Sequence, residues 1–278
     1  MNPFLLGGDL PIQRVGYGTM RLIGDGAWGP PLDRPAAIQL LRRAVALGLN
    51  FIDTADAYGP QELEPLLGEA LHPYAPGLVI ATKGGLARMG PAKSEPLGRP
   101  AYLRQQVEMS LRYLKVERLD LWQLHRIDPQ VPLEDSLGAI ADLQRAGKIR
   151  HVGLSEVGIA EIERARKVLP IVSVQNKYNL TERKHDAVLD FCTREKIAFI
   201  PWYPVAAGKL SSSGKLDSIA RRHGVSVSQL SLAWLLQRSP VTLLIPGTSS
   251  IAHLEQNIAS TEISLSPPEW SEVEQAAR

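Results

Sequence analysis

The 278-residue chain is 44% hydrophobic and 22% charged, with 31 Lys and Arg against 29 Asp and Glu; this is the balance of a soluble globular protein, with no overall pull toward nucleic acid or a membrane surface. Its one cysteine, Cys192, excludes an internal disulfide framework, and no apolar run reaches the roughly 18 residues of a membrane span. With no signal-peptide pattern either, cytoplasmic residence and a monomer are the expectations.

In chain order, Gly8-Asp9-Leu10-Pro11 marks a turn or small hairpin suited to plugging one end of a larger fold. Residues 15–20 read as a short strand, followed by a Gly- and Pro-rich loop over 22–32. Asp33 is a helix N-cap, after which Ile38, Leu41, Ala44, Val45 and Leu47 recur at helical spacing until Gly48. The next strand, Phe51-Ile52, ends abruptly in Asp53, and Tyr58-Gly59 follows in a loop. The alternation then repeats. Helix 62–71 leads to strand 78–83; after a long loop over 86–99, helix 102–114 leads to strand 119–125. Helix 133–146 leads to strand 150–155, helix 159–168 to strand 172–175, and helix 184–196 to strand 198–202. Helices at 215–223 and 228–237 precede strand 241–245, Ser250 caps a further helix, and 267–277 forms a terminal one.

Eight strand–helix pairs in a chain of this size predict an α/β fold of the (β/α)8 TIM-barrel type, one domain over residues 1–278, with its site at the carboxyl ends of the strands. An open doubly wound sheet would need a third glycine after Gly16-Tyr17-Gly18, at the start of a helix, and none is there. In the barrel, the strand ends ring one mouth: Thr19 and Met20, Asp53, Lys83, His125, Ser155, Gln175, Trp202, then Gly247 and Thr248. Charged groups ending three successive apolar strands would lose hydration and need partners. Taken singly, Lys83 reads as an ion-pair partner of Asp53, and His125 as part of a capped turn. Taken together they form a proton-donating site. Lys83 beside Tyr58 would lower the phenol's pKa, Asp53 would hold Lys83 protonated, and His125 would hydrogen-bond a bound carbonyl oxygen.

Gly16-Tyr17-Gly18-Thr19-Met20, the run from Asn50 to Gly59, Thr82-Lys83, Gln123-Leu124-His125-Arg126, Val152-Gly153-Leu154-Ser155, Val174-Gln175-Asn176 and Ile245-Pro246-Gly247-Thr248-Ser249-Ser250 together resemble the aldo-keto reductases, along essentially the whole chain. The stretch 16–34 is similar to the pyridoxal-reductase-like bacterial branch. The resemblance implies an NADP-dependent oxidoreductase. It would reduce an aldehyde or ketone by hydride transfer, with Tyr58 as acid and Asp53, Lys83 and His125 completing a tetrad. Ser155 and Gln175 would bind the cofactor carboxamide and Trp202 would stack on the nicotinamide, while Glu156 stands where Asn is common. Thr19, Met20, Gly247, Thr248, Ser249, His253 and Asn257 complete the cofactor set. A helix start with hydroxyls suits phosphate; NADPH is expected and NADH is not excluded, because Gly247 and His253 stand where relatives carry Lys and Arg.

The substrate pocket is expected from loops 22–32, with Trp28, and 86–99, beside Tyr58 and His125, for a small carbonyl compound such as pyridoxal. The serine run 211–213 is expected near the adenosine diphosphate. No metal site is expected, because the remaining histidines lack ligand spacing. Two rivals stand beside this reading: a nucleotide-binding regulatory subunit resembling potassium-channel β subunits, and a Schiff-base lyase using Lys83 or Lys177. Against the lyase, Asp53 would keep Lys83 charged and non-nucleophilic.

Overall fold

The structure is a computed structural model describing residues 3–206 and 214–277. The chain opens with an antiparallel hairpin, β1 (Phe4–Leu6) and β2 (Leu10–Ile12). Then come β3 (Tyr17–Gly18), α1 (Arg34–Ala46), β4 (Phe51–Asp53), α2 (Leu63–Leu71) and β5 (Val79–Gly84). A second hairpin, β6 (Leu86–Gly90) and β7 (Lys93–Pro96), precedes α3 (Pro100–Leu114) and β8 (Leu119–Leu124). The alternation continues with α4 (Leu133–Arg145), β9 (Ile149–Ser155), α5 (Ile159–Arg166), β10 (Ile171–Gln175), α6 (Asp186–Glu195) and β11 (Ala198–Phe199). Helices α7 (Gly214–Arg222), α8 (Val227–Arg238), α9 (Ile251–Ala259) and α10 (Pro267–Ala277) complete it.

Local chemistry sets these boundaries. The Asp33 carboxylate accepts from the Ala36 N–H at 2.9 Å, Pro35 enters the first turn of α1, and Ala37, Leu40, Leu41 and Ala44 bury its inner face. Ser226 and Ser250 cap α8 and α9 in the same way. No helix of the described residues is long and apolar enough to cross a membrane.

Strands β3, β4, β5, β8, β9, β10 and β11 pair in that order, all parallel. Residues 241–245 close the ring. On one side the Phe199 N–H donates to Val241 O and the Leu243 N–H to Phe199 O, both at 2.9 Å. On the other, the Leu244 N–H donates to Arg14 O at 2.9 Å and the Gly16 N–H to Leu244 O at 2.8 Å. The result is the (β/α)8 barrel.

Alternation along the strands divides the barrel interior into layers. Phe51, Val79, Ala81, Leu121, Ala198, Leu243 and Ile245 pack with Leu6, Leu10 and Ile12 of the first hairpin, which plugs the amino-terminal end. Two residues further along β4, β5 and β8 the inward positions become Asp53, Lys83 and Gln123, all buried. One end of the barrel is thus sealed by apolar packing and the other presents polar groups.

Several expected boundaries shift. Thr19 and Met20 lie in a 3-10 turn, Thr19–Leu22, rather than in a strand, and Trp202 lies beyond β11, bridging Lys177. Segment 241–245 pairs through isolated bridges and single hydrogen bonds instead of a continuous ladder. The expected loop 86–99 contains the β6–β7 hairpin, because residues 86–90 and 93–96 can pair with each other across Pro91-Ala92. The expected serine loop at 211–213 falls outside the described residues.

Candidate active site

Strand β4 ends in Asp53 and β5 in Lys83 and Gly84, and the pairing of Asp53 with Ala81 sets the two side chains side by side. The Lys83 ammonium donates to Asp53 Oδ1 at 2.6 Å, to Thr54 O at 2.8 Å and to Tyr58 Oη at 3.3 Å. It is fully buried, so its three donors are spent on three fixed acceptors. The second carboxylate oxygen of Asp53 accepts from Gln175 Nε2 at 2.9 Å and from Gln123 Nε2 at 3.4 Å. His125, just past β8, stands edge-on to Tyr58 with ring centroids 6.0 Å apart. The four residues of the expected tetrad therefore meet at one point.

Electrostatics departs from expectation in one respect. Burial pushes the Tyr58 phenol above its ordinary value of 10.0 and outweighs the downward pull of Lys83, so the site holds a firmly protonated phenol rather than an acidified one. Burial also works against the Lys83 charge, but Asp53 and Tyr58 more than restore it and hold the ammonium above its ordinary range. His125 is driven well below 6.5 by burial and then by the charges of Lys83, Arg126 and Arg88. Its imidazole is neutral at physiological pH, and its buried Nδ1 has no hydrogen-bond partner among the described residues.

A cavity of about 720 Å³ opens over these groups, a size suited to small organic ligands. Of the residues expected at the site, Met20, Asp53, Tyr58, His125, Ser155, Gln175, Trp202, Gly247, Thr248, His253 and Asn257 line it. Thr19, Lys83, Ser249 and Trp28 are not in its lining. Thr19 is buried with its hydroxyl on Asp53 O at 3.0 Å, and Lys83 is sealed behind Tyr58. Trp28 is 38% exposed, and its backbone bridges Gly59. The bridge ties Trp28 to the loop that carries Tyr58.

Glu156 adopts a left-handed backbone, φ 56°, and turns its carboxylate onto the Lys177 N–H at 2.6 Å and the Trp202 indole N–H at 2.7 Å. It therefore anchors Trp202 from outside the cavity lining. At the seam between β3 and the 241–245 segment, Gly18 and Gly247 bring two backbones together: a Cβ on Gly18 would lie 2.5 Å from Ile245 O, and one on Gly247 2.9 Å from Gly18 O.

Sequence reasoning did not single out Arg21, which lines the cavity beside Gly247, nor Arg88 and Ser94 of the second hairpin, nor Ser226 and Ser228 at the start of α8. Arg126, adjacent to His125, carried the one available signal, a cation next to a candidate proton-handling residue.

A sequence model described as the Aldo/keto reductase family matches residues 14–278. The chain is 51% identical to an uncharacterized oxidoreductase of Schizosaccharomyces pombe over 98% of this chain and 89% of the relative. It is 43% identical to pyridoxine 4-dehydrogenase of Escherichia coli over 95% of this chain and 94% of the relative. Among solved structures, a thermostable aldo-keto reductase in complex with the inhibitor epalrestat matches with a TM-score of 0.88 at 29% identity, covering 99% of each chain. An aldo/keto reductase from Klebsiella pneumoniae in complex with NADP and acetate matches with a TM-score of 0.83 at 25% identity, covering 99% of this chain and 94% of that one. The family match begins just before the first barrel strand and runs through the tetrad to the last helix, and on it this chain belongs to the aldo/keto reductase family of oxidoreductases.

Proposed function

We propose that the protein reduces an aldehyde or ketone to an alcohol with NADPH, Tyr58 donating the proton. The observation that carries this reading is a phenol at the cavity wall with a buried, carboxylate-held ammonium 3.3 Å behind its oxygen. The reduced nicotinamide, when bound, supplies the hydride. Tyr58 passes its proton to the carbonyl oxygen, and Lys83 stabilises the phenolate left behind. His125, neutral, donates a hydrogen bond to the same oxygen and so orients the carbonyl.

Other lining residues of the cavity suit a dinucleotide. Trp202, pinned by Glu156, offers a ring face for stacking. Gln175, whose amide nitrogen is committed to Asp53, keeps its oxygen for a carboxamide N–H, and Ser155 adds a hydroxyl. Arg21 and the start of α9 at Thr248 and Ser250 provide the positive end that phosphates require. His253 and Asn257, on that helix, line the cavity there and would be the partners of a 2′-phosphate. The NADP complex of the Klebsiella pneumoniae relative supports the same cofactor. The pyridoxine 4-dehydrogenase relative favours an aromatic aldehyde such as pyridoxal as substrate.

The test is a titration of NADPH and NADH against tryptophan fluorescence, followed by initial rates of nicotinamide oxidation with pyridoxal and substituted benzaldehydes. The expected result is tighter binding of NADPH and aldehyde-dependent oxidation. Binding without oxidation by any aldehyde would overturn the reductase reading.

A further inference from the structure

Two guanidinium groups beside the tetrad have no carboxylate partner among the described residues. Arg88, in the middle of β6, donates to Ala57 O at 3.3 Å and Gly26 O at 3.5 Å, so the hairpin that carries it is tied to the Tyr58 loop. Arg126, next to His125, donates to His125 O at 2.6 Å and to Ser155 Oγ at 3.0 Å. Both are partly buried and line the cavity. Among the described residues no carboxylate oxygen lies within 4.0 Å of either.

Arg34, Arg43, Arg104 and Arg164, away from the cavity, each meet a carboxylate. Within the cavity the acidic lining residue is Asp53, already shared between Lys83, Gln123 and Gln175. Glu156 exerts a field on Arg126, but its carboxylate is turned onto Lys177 and Trp202. Both guanidiniums lie close enough to His125 to depress its basicity. Partly desolvated cations with all their bonds to neutral oxygens retain unspent N–H donors and an uncompensated charge, and a planar guanidinium matches carboxylate or phosphate oxygens in pairs.

We infer that Arg88 and Arg126 form an anion-binding subsite beside Tyr58 and His125, and that the preferred substrates are carbonyl compounds carrying a carboxylate or phosphate. This rests on the reductase reading for the word substrate, while the subsite itself is a binding claim that can be tested without turnover. Arg21, at the Gly247 end of the cavity, serves the cofactor side and is separate from this pair.

Two matched pairs of product-like alcohols test it on the NADPH-loaded protein, where no reaction is possible, by isothermal titration. The carboxylate pair is 4-(hydroxymethyl)benzoate against its methyl ester; the phosphate pair is pyridoxine 5′-phosphate against pyridoxine. A charge-assisted contact predicts that the anionic member of at least one pair binds about tenfold or more tightly than its neutral partner. Added salt should erode the difference, Arg88→Met should remove most of it, and Arg88→Lys should retain part. Which pair shows the preference identifies the anion. Equal affinity within both pairs, no measurable binding of either anionic member, or a preference unchanged in both Arg88→Met and Arg126→Met overturns the inference. The corresponding aldehydes, tested for nicotinamide oxidation, report separately on the reductase reading.

Discussion

Tyr58 is held between opposing influences: burial raises its pKa, Lys83 lowers it, and burial wins. A proton donor must be protonated to act, so carbonyl reduction should persist through neutral pH. It should fall along a single alkaline limb above the ordinary phenol value of 10.0, read from kcat/KM against pH; a limb centred below that value would contradict the burial account. The tetrad was legible in the sequence because each member ends an apolar run or sits in the loop just after one, where stability offers no reason for a charge. Glu156 was legible only as a departure. Its grip on the Trp202 indole depends on a left-handed backbone at Glu156, which residue order does not reveal.

At the scale of elements, α2 meets β5 through a buried acid. Glu64 accepts from the Thr82 hydroxyl at 2.6 Å, and burial pushes its carboxyl up to about 7 from 4.5. Asp56 nearby is raised too, by burial and by Glu64 itself. The folded protein therefore keeps a proton that the unfolded chain releases between those two pH values, so stability falls as pH rises through the window and levels off above it. Glu64→Gln, which retains an oxygen for Thr82, should gain stability over wild type by up to about 3 kcal/mol between pH 5 and 8. Thermal melts of both proteins across that range check it; a constant difference would contradict the assignment. Helices were placed within a residue or two where a cap marked them, as at Asp33 and Ser250. The hairpin of β6 and β7 was missed because its second strand, Lys93–Pro96, is polar and exposed along its length and carries no hydrophobic alternation.

For the molecule as a whole, closure of the barrel depends on the seam where residues 14–16 and 241–245 meet, and where Gly18 and Gly247 let two backbones approach. The repeated alternation predicted a closed ring, but not that its last strand would be held by single bridges. Gly18→Ala places a methyl 2.5 Å from Ile245 O, a backbone atom that cannot move aside as a flexible side chain would. A loss of about 1–3 kcal/mol in urea unfolding is expected; wild-type stability would show that the seam yields. The barrel brings Asp53, Tyr58 and His125 to the wall of one cavity with Lys83 directly behind Tyr58, and in the proposed function this set reduces carbonyls through the Tyr58 proton. The direct test is single turnover: protein preloaded with NADPH is mixed with pyridoxal or a carboxybenzaldehyde, and nicotinamide absorbance is followed for wild type and Tyr58→Phe. Rapid oxidation is expected in wild type and a rate at least about 100-fold lower in the variant, with NADPH affinity unchanged. Oxidation by Tyr58→Phe at the wild-type rate would contradict the proposed function.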